Sequence, residues 1–117
     1  MLILVIDDDG LAGDMAAAIV NDCGHQALLA DSAAQALVLL EQHAGVALIV
    51  CDLHMPDMDG IDLLRHLRAR GCALPFMLLS GDAPPARLRA EPGIAAWLLK
   101  DAALEQSLRR AIEENKA

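Results

Sequence analysis

The chain is almost without aromatic side chains: it has one Phe, one Trp and no Tyr. Packing must therefore rest on Ala, Leu, Ile and Val within a 56% apolar composition. A core of that kind suits helices laid on a parallel sheet better than an aromatic-rich β-sandwich. Basic residues are scarce as well. Nine Lys and Arg stand against 17 Asp and Glu, for a formal net charge of −8. Nucleic-acid phosphates are bound by clustered Lys and Arg, and here the basic residues are scattered, which argues against direct nucleic-acid binding. Cysteine is limited to Cys23, Cys51 and Cys72, with no CxxC pair and no zinc quartet. These read as small buried or half-buried thiols in a reducing compartment, not as metal or redox centres. No apolar run approaches the ~20 residues needed to span a bilayer. Met1 leads straight into a short apolar run that meets Asp7, without the pattern of a signal peptide. A cytoplasmic protein with no membrane partner is expected.

What is present is a regular alternation. Leu2–Ile6 is a short apolar run cut off by acids and reads as a buried strand. Leu11, Met15, Ala18 and Ile19 then recur at helical spacing, and Gly24 closes that helix. A weaker strand, Gln26–Ala30, precedes a helix from Ala33 to about Glu41, capped by Asp31 or Ser32, with Ala33, Ala36, Leu37 and Leu40 on one face. Val46–Cys51 is a third strand. After the loop Leu53–Asp59, a helix from Gly60 to about Arg70 turns Ile61, Leu64 and Leu67 inward and ends at Gly71. Phe76–Leu79 and Ala95–Leu99 are the fourth and fifth strands. Between them, Pro84, Pro85 and Pro92 leave room only for a short or irregular fourth helix, roughly Pro85 to Ala90. The last helix runs from Ala102 to about Asn115, with Leu104, Leu108, Ala111 and Ile112 on one face. Successive βα units imply an α/β, doubly wound, five-stranded parallel sheet with helices on both faces. No linker, repeat or low-complexity tract divides the 117 residues, so residues 1–117 are expected to form a single domain.

In such sheets ligands bind beyond the carboxyl ends of the strands. The first strand ends in Asp7-Asp8-Asp9, the third in Asp52, the fourth in Ser80 and the fifth in Lys100. Singly, each has an ordinary reading: a solvated acidic turn, an N-cap, a strand end, an exposed lysine. Together they bring several carboxylates to one edge, where mutual repulsion calls for a cation. All-oxygen ligands suit Mg²⁺ or Mn²⁺, and the absence of an imidazole or thiolate cluster disfavours zinc. An aspartate can act as a nucleophile and form an aspartyl-phosphate. A metal and a lysine would neutralise the phosphoryl oxygens, and a hydroxyl such as Ser80 could add one hydrogen bond after transfer.

The segments Leu4-Val-Ile-Asp-Asp-Asp9, Ile49-Val-Cys-Asp-Leu-His-Met-Pro-Asp-Met-Asp-Gly60, Leu79-Ser-Gly81 and Trp97-Leu-Leu-Lys100 resemble, in order and approximate spacing, the motifs of response-regulator receiver domains. The third-strand segment is the specific one. The resemblance implies a flavodoxin-like sheet of order 2-1-3-4-5. It implies that Asp52 is the phosphoacceptor, that Asp7, Asp8 and Asp52 hold Mg²⁺ with the backbone carbonyl of His54, and that Lys100 contacts the phosphoryl group. Ser80 matches the switch hydroxyl and Trp97 the switch aromatic. The implied donor is a histidine kinase or histidine phosphotransfer protein. The implied contact face for an output domain or homodimer comprises the fourth helix, fifth strand and fifth helix. Departures from the usual pattern are Asp101 in place of a proline, Trp97 in place of Tyr or Phe, and a slightly shortened stretch from Ser80 to Lys100. Two alternatives remain open on the residues alone. One is a haloacid-dehalogenase-like phosphohydrolase using Asp7 and Asp9; the other is a pseudo-receiver that binds partners without phosphorylation.

Overall fold

The structure, a computed structural model, describes residues 1–83, 86 and 91–115. In chain order these contain β1 (Leu2–Ile6), α1 (Gly10–Asp22), β2 (Gln26–Ala30), α2 (Ala33–Gln42), β3 (Val46–Asp52), α3 (Gly60–Ala69), β4 (Phe76–Ser80), β5 (Ile94–Leu99) and the C-terminal helix α4 (Leu104–Glu114). The five strands are parallel in the order β2-β1-β3-β4-β5, as the resemblance implies. The short fourth helix expected near Pro85–Ala90 lies outside the described residues.

The central strands β1, β3 and β4 are apolar up to the last residues of β3 and β4, Asp52 and Ser80, because both of their faces are covered. Side chains alternate between two layers. Leu4, Ile6, Ile49, Cys51, Phe76 and Leu78 pack with α2 and α3. Ile3, Val5, Leu48, Val50, Met77 and Leu79 pack with α1 and α4. The inward faces expected for α2, α3 and α4 are the observed ones.

In α1 the buried face differs from the apolar spacing in the sequence. Gly13, Ala16 and Val20 face the sheet, whereas Leu11 and Met15 are 72% and 58% exposed. Small residues win because the helix lies close: a Cβ on Gly13 would sit 3.2 Å from Leu29 Cδ1 and 3.5 Å from Asp7 Cβ.

Caps explain where the helices start. Asp9 accepts from the Leu11 and Ala12 amides, Ser32 from Gln35, and Asp59 from Asp62. The last helix begins two residues later than expected because Asp101 forms a turn of its own, its side chain accepting from Ala103 N–H and its carbonyl from Leu104 N–H. The three cysteines are unbonded. Cys51 is buried and burial pushes its thiol pKa up, so it stays protonated.

Leading into β5, Arg65 forms a two-point ion pair with Glu91, and Arg68 donates to the carbonyls of Cys72, Leu74 and Gly93. These contacts fasten the start of β5 to α3.

Gly60, the first residue of α3, marks the tightest approach near the end of β3. A Cβ there would meet Leu78 Cδ2 at 2.5 Å and the Asp52 carbonyl oxygen at 2.9 Å. Gly60→Ala is therefore expected to lower unfolding stability by about 1–3 kcal/mol, the usual cost of overpacking a core. Gly45→Ala, at a position where a Cβ meets nothing within 4 Å, is the control. Urea denaturation of the two variants checks the difference, and equal midpoints would contradict it.

Candidate functional site

Strand register places the polar groups. Ile6 pairs with Cys51, so the next residues, Asp7 and Asp52, emerge side by side at the carboxyl edge. Asp52 is level with Leu79, and Ser80 with Leu99, which puts Ser80 and Lys100 at the same edge. The ladders continue past the strand ends, with Asp7 N–H donating to Ala30 O, Leu53 N–H to Leu79 O, and Lys100 N–H to Ser80 O. Parity sorts the side chains further. Asp7, Asp52 and Lys100 follow the residues that face α1 and α4, whereas Ser80 follows Phe76 and Leu78, which face α2 and α3.

Asp7 and Asp52 are buried, at 3% and 6% exposure, and Asp8 is exposed beside them. Each offers a carboxylate oxygen lying within 4.8 Å of the other two. The ammonium of Lys100 reaches across the end of β4, 2.9 Å from Asp7 Oδ2 and 3.1 Å from Asp52 Oδ1. Asp7 Oδ1 also accepts from the Asp9 amide. One lysine facing three carboxylates leaves two negative charges uncompensated.

Burial raises the Asp52 pKa above the ordinary carboxylate value and Asp7 adds to the rise, while the hydrogen bond from Lys100 opposes it. For Lys100, burial acts to lower the pKa, but hydrogen bonds to Asp7 and Asp52 outweigh it and the ammonium is held charged.

The donor set fits a hard divalent cation. Oxygens around an octahedral centre at about 2.0–2.1 Å lie roughly 3–4 Å from one another, and the three carboxylate oxygens, all within 4.8 Å of one another, are compatible with that. Uncompensated charge at a buried position supplies the electrostatic demand.

The remaining expected residues are placed differently. Ser80 is buried at 2% exposure, and its hydroxyl accepts from the Asp82 amide. Trp97 is half-buried in the α2/α3 layer, and its indole N–H is buried with no hydrogen-bond partner among the described residues. His54 is exposed, and its backbone amide weakly opposes the rise in the Asp52 pKa. Asp9 is engaged as the α1 cap. Asp57, read in the sequence only as part of a motif, has its carboxylate on the amides of Ala33 and Ala34 across the molecule. No local pattern announces that contact.

The family model for the response regulator receiver domain matches residues 3–113. The chain belongs to that family. It is 34% identical over 106 residues to the sensory/regulatory protein RpfC of Xanthomonas campestris pv. campestris, a match covering 86% of this chain and 14% of that protein. It is 30% identical over 126 residues to the two-component response regulator ORR21 of Oryza sativa subsp. japonica, covering 99% of this chain and 18% of that one. The receiver thus spans a small part of these curated relatives. A solved response regulator receiver domain protein from Clostridium thermocellum superposes with a TM-score of 0.85 at 25% identity, covering 97% of this chain and 92% of the other. Among the described residues, no helix is long and apolar enough to cross a membrane.

Because the folded pKa of Asp52 lies above its unfolded value, its ionisation opposes folding. The stability is fully present below the unfolded pKa and is lost as pH rises through the folded one. At pH 7 without divalent cations the penalty is in force. Asp52→Asn is therefore expected to raise the melting temperature by a few degrees at pH 7, and the gain should shrink as pH falls toward the ordinary Asp pKa of about 3.9. Thermal melts followed by circular dichroism in chelator check this. A lower melting temperature at pH 7 would mean that attraction to Lys100 outweighs burial.

Proposed function

We propose that this receiver takes a phosphoryl group onto Asp52 from the phosphohistidine of a histidine kinase or histidine phosphotransfer protein, and that the transfer switches an output. The observation that supports this best is the Lys100 ammonium lying between buried Asp7 and Asp52 at the sheet edge. Mg²⁺ or Mn²⁺ would be held there by Asp7, Asp8, Asp52 and the His54 carbonyl, and when bound it supplies the positive charge that neutralises phosphoryl oxygens.

The chain's own groups do the rest. Asp52 is poorly solvated, which leaves an oxygen lone pair free to attack phosphorus in line with the departing imidazole nitrogen. The P–N bond breaks as the O–P bond forms, and the imidazole, protonated on its other ring nitrogen, takes the bonding pair and leaves neutral. Lys100 gives up its resting bond to Asp52 and pairs with the phosphoryl oxygens, neutralising negative charge that the phosphoryl group brings. The protein is then no turnover enzyme, since it catalyses only its own phosphorylation and autodephosphorylation.

Ser80 and Trp97 act as the switch pair, with the hydroxyl exchanging the Asp82 amide for a phosphoryl oxygen. The output surface, for another domain or a second copy, comprises the segment before β5, the free edge of β5 and α4. Residues 1–117 act as one receiver domain in the cytoplasm, without direct nucleic-acid contact.

Incubation with Mg²⁺ and acetyl phosphate is expected to add one phosphoryl group by intact-protein mass spectrometry, and Asp52→Asn should accept none. Asp9→Ala should keep the modification and lose about 1 kcal/mol of stability, the usual cost of a missing cap. Phosphate retained in Asp52→Asn but lost in Asp7→Asn would favour a phosphohydrolase. No phosphate on wild type would favour a binding-only module.

A further inference from the structure

We infer that Asp57 is a positioning residue for the metal site, holding the loop that carries His54 in register with the segment that carries Asp7. This rests on the receiver reading of that site. The loop from Leu53 to Asp59 is pinned at its ends: Leu53 N–H donates to Leu79 O, and Leu53 O accepts from Gly60 N–H. Between those points Met55 and Met58 are half-buried against the α2/α3 core. Methionine is flexible and unbranched, so it fixes the depth of a loop better than its direction. The directional contact is Asp57. Its Oδ1 accepts from Ala33 N–H at 3.4 Å and its Oδ2 from Ala34 N–H at 3.2 Å.

These are the first two amides of α2, which has no acidic residue in its own first turn. Ser32, the α2 N-cap, accepts from Gln35 N–H and leaves the other two free. A carboxylate 24 residues away in sequence thus completes the cap, with its charge at the positive end of the helix dipole.

The contact bears on the site because the turn it grips also holds Asp7. The carbonyl of Ala30, just before that turn, accepts the Asp7 amide at 3.0 Å. The frame therefore runs from His54 through Asp57 to Ala33 and Ala34, back along the turn to Ala30, and on to Asp7. The β1–β3 ladder joins the two ligand-bearing segments up to Ile6 and Cys51; beyond the strand ends, the exposed Asp57 side chain adds a second tie between the His54 loop and the turn bonded to Asp7. Without it, ordering the loop would fall on the binding step and weaken it.

The test is titration with MgCl₂ followed by amide NMR shifts, on wild type, Asp57→Ala, Asp57→Asn and Ser32→Ala. Asp57→Ala is expected to raise the Mg²⁺ dissociation constant about tenfold, as loss of a ligand-orienting contact commonly does. Asp57→Asn, which keeps one acceptor, should give an intermediate loss. Ser32→Ala weakens the same helix end from within α2 and should bind Mg²⁺ as wild type does. In metal-free protein, hydrogen exchange should show loss of protection at Ala33 and Ala34 in Asp57→Ala. Loss of that protection with unchanged Mg²⁺ affinity would reduce Asp57 to a helix cap and overturn the inference, as would an equal loss of affinity in Ser32→Ala. A wild type that binds no Mg²⁺ would overturn the metal-site reading beneath it.

Discussion

Lys100 sits between two carboxylates that the fold has largely removed from water, and much of the site's geometry follows from that contact. Asp7 and Asp52 end adjacent central strands, so burial and mutual repulsion both act against their charges. A cation must come from nearby, and the protein brings it from β5, two strands from β3. Lysine suits that span: a flexible four-carbon stem crosses the end of β4 and delivers a compact charge. The register of four strands is thus tied to one electrostatic requirement. A slip by one residue anywhere among them would turn a ligand to the opposite layer.

The same parity divides the site from the residues proposed to respond to it. Asp7, Asp52 and Lys100 belong to the layer of α1 and α4, while Ser80 and Trp97 belong to that of α2 and α3. Ser80 sits where the layers meet, at the carboxyl end of β4, with its backbone carbonyl bonded to the Lys100 amide and its hydroxyl on Asp82. It can therefore answer a change at Asp52 while remaining part of the other layer. Trp97 has a buried N–H without a partner among the described residues, and such a group costs about 1–3 kcal/mol to leave unsatisfied. That cost favours arrangements in which the indole gains a partner.

Most elements were legible because central strands of a parallel sheet must be apolar on both faces and end in turns, and Leu2–Ile6 and Val46–Cys51 satisfy that with little ambiguity. The carboxylate cluster was legible for the same reason, since each acid directly follows such a run. The limits are physical as well. Leu11 and Met15 mark a helix by their spacing but not its inner face, because close approach to β2 favours Gly13 and Ala16 over bulk. The helix expected at Ala102 starts at Leu104 because Asp101 has a side chain able to close its own turn. Asp57 was beyond reach in principle: its partners lie on another element, and nothing local distinguishes a carboxylate in solvent from one capping a distant helix.

The fold and the chemistry are coupled through charge. A carboxylate whose pKa is raised by burial is a local liability to the folded chain and, by the same desolvation, a less encumbered nucleophile. A cation bound at the three carboxylates offsets that liability, and whatever binds only the folded state stabilises it in proportion to its affinity. In the proposed transfer, conversion of the Asp52 carboxylate to an acyl phosphate would move negative charge outward from the buried oxygens to the phosphoryl group, where it would be open to Lys100 and solvent. Lys100 would then have a reason to leave Asp52, and the contact from which the site geometry follows is the one the proposed reaction would rewrite. A switch made this way would start from a resting state in which two buried carboxylates share one lysine.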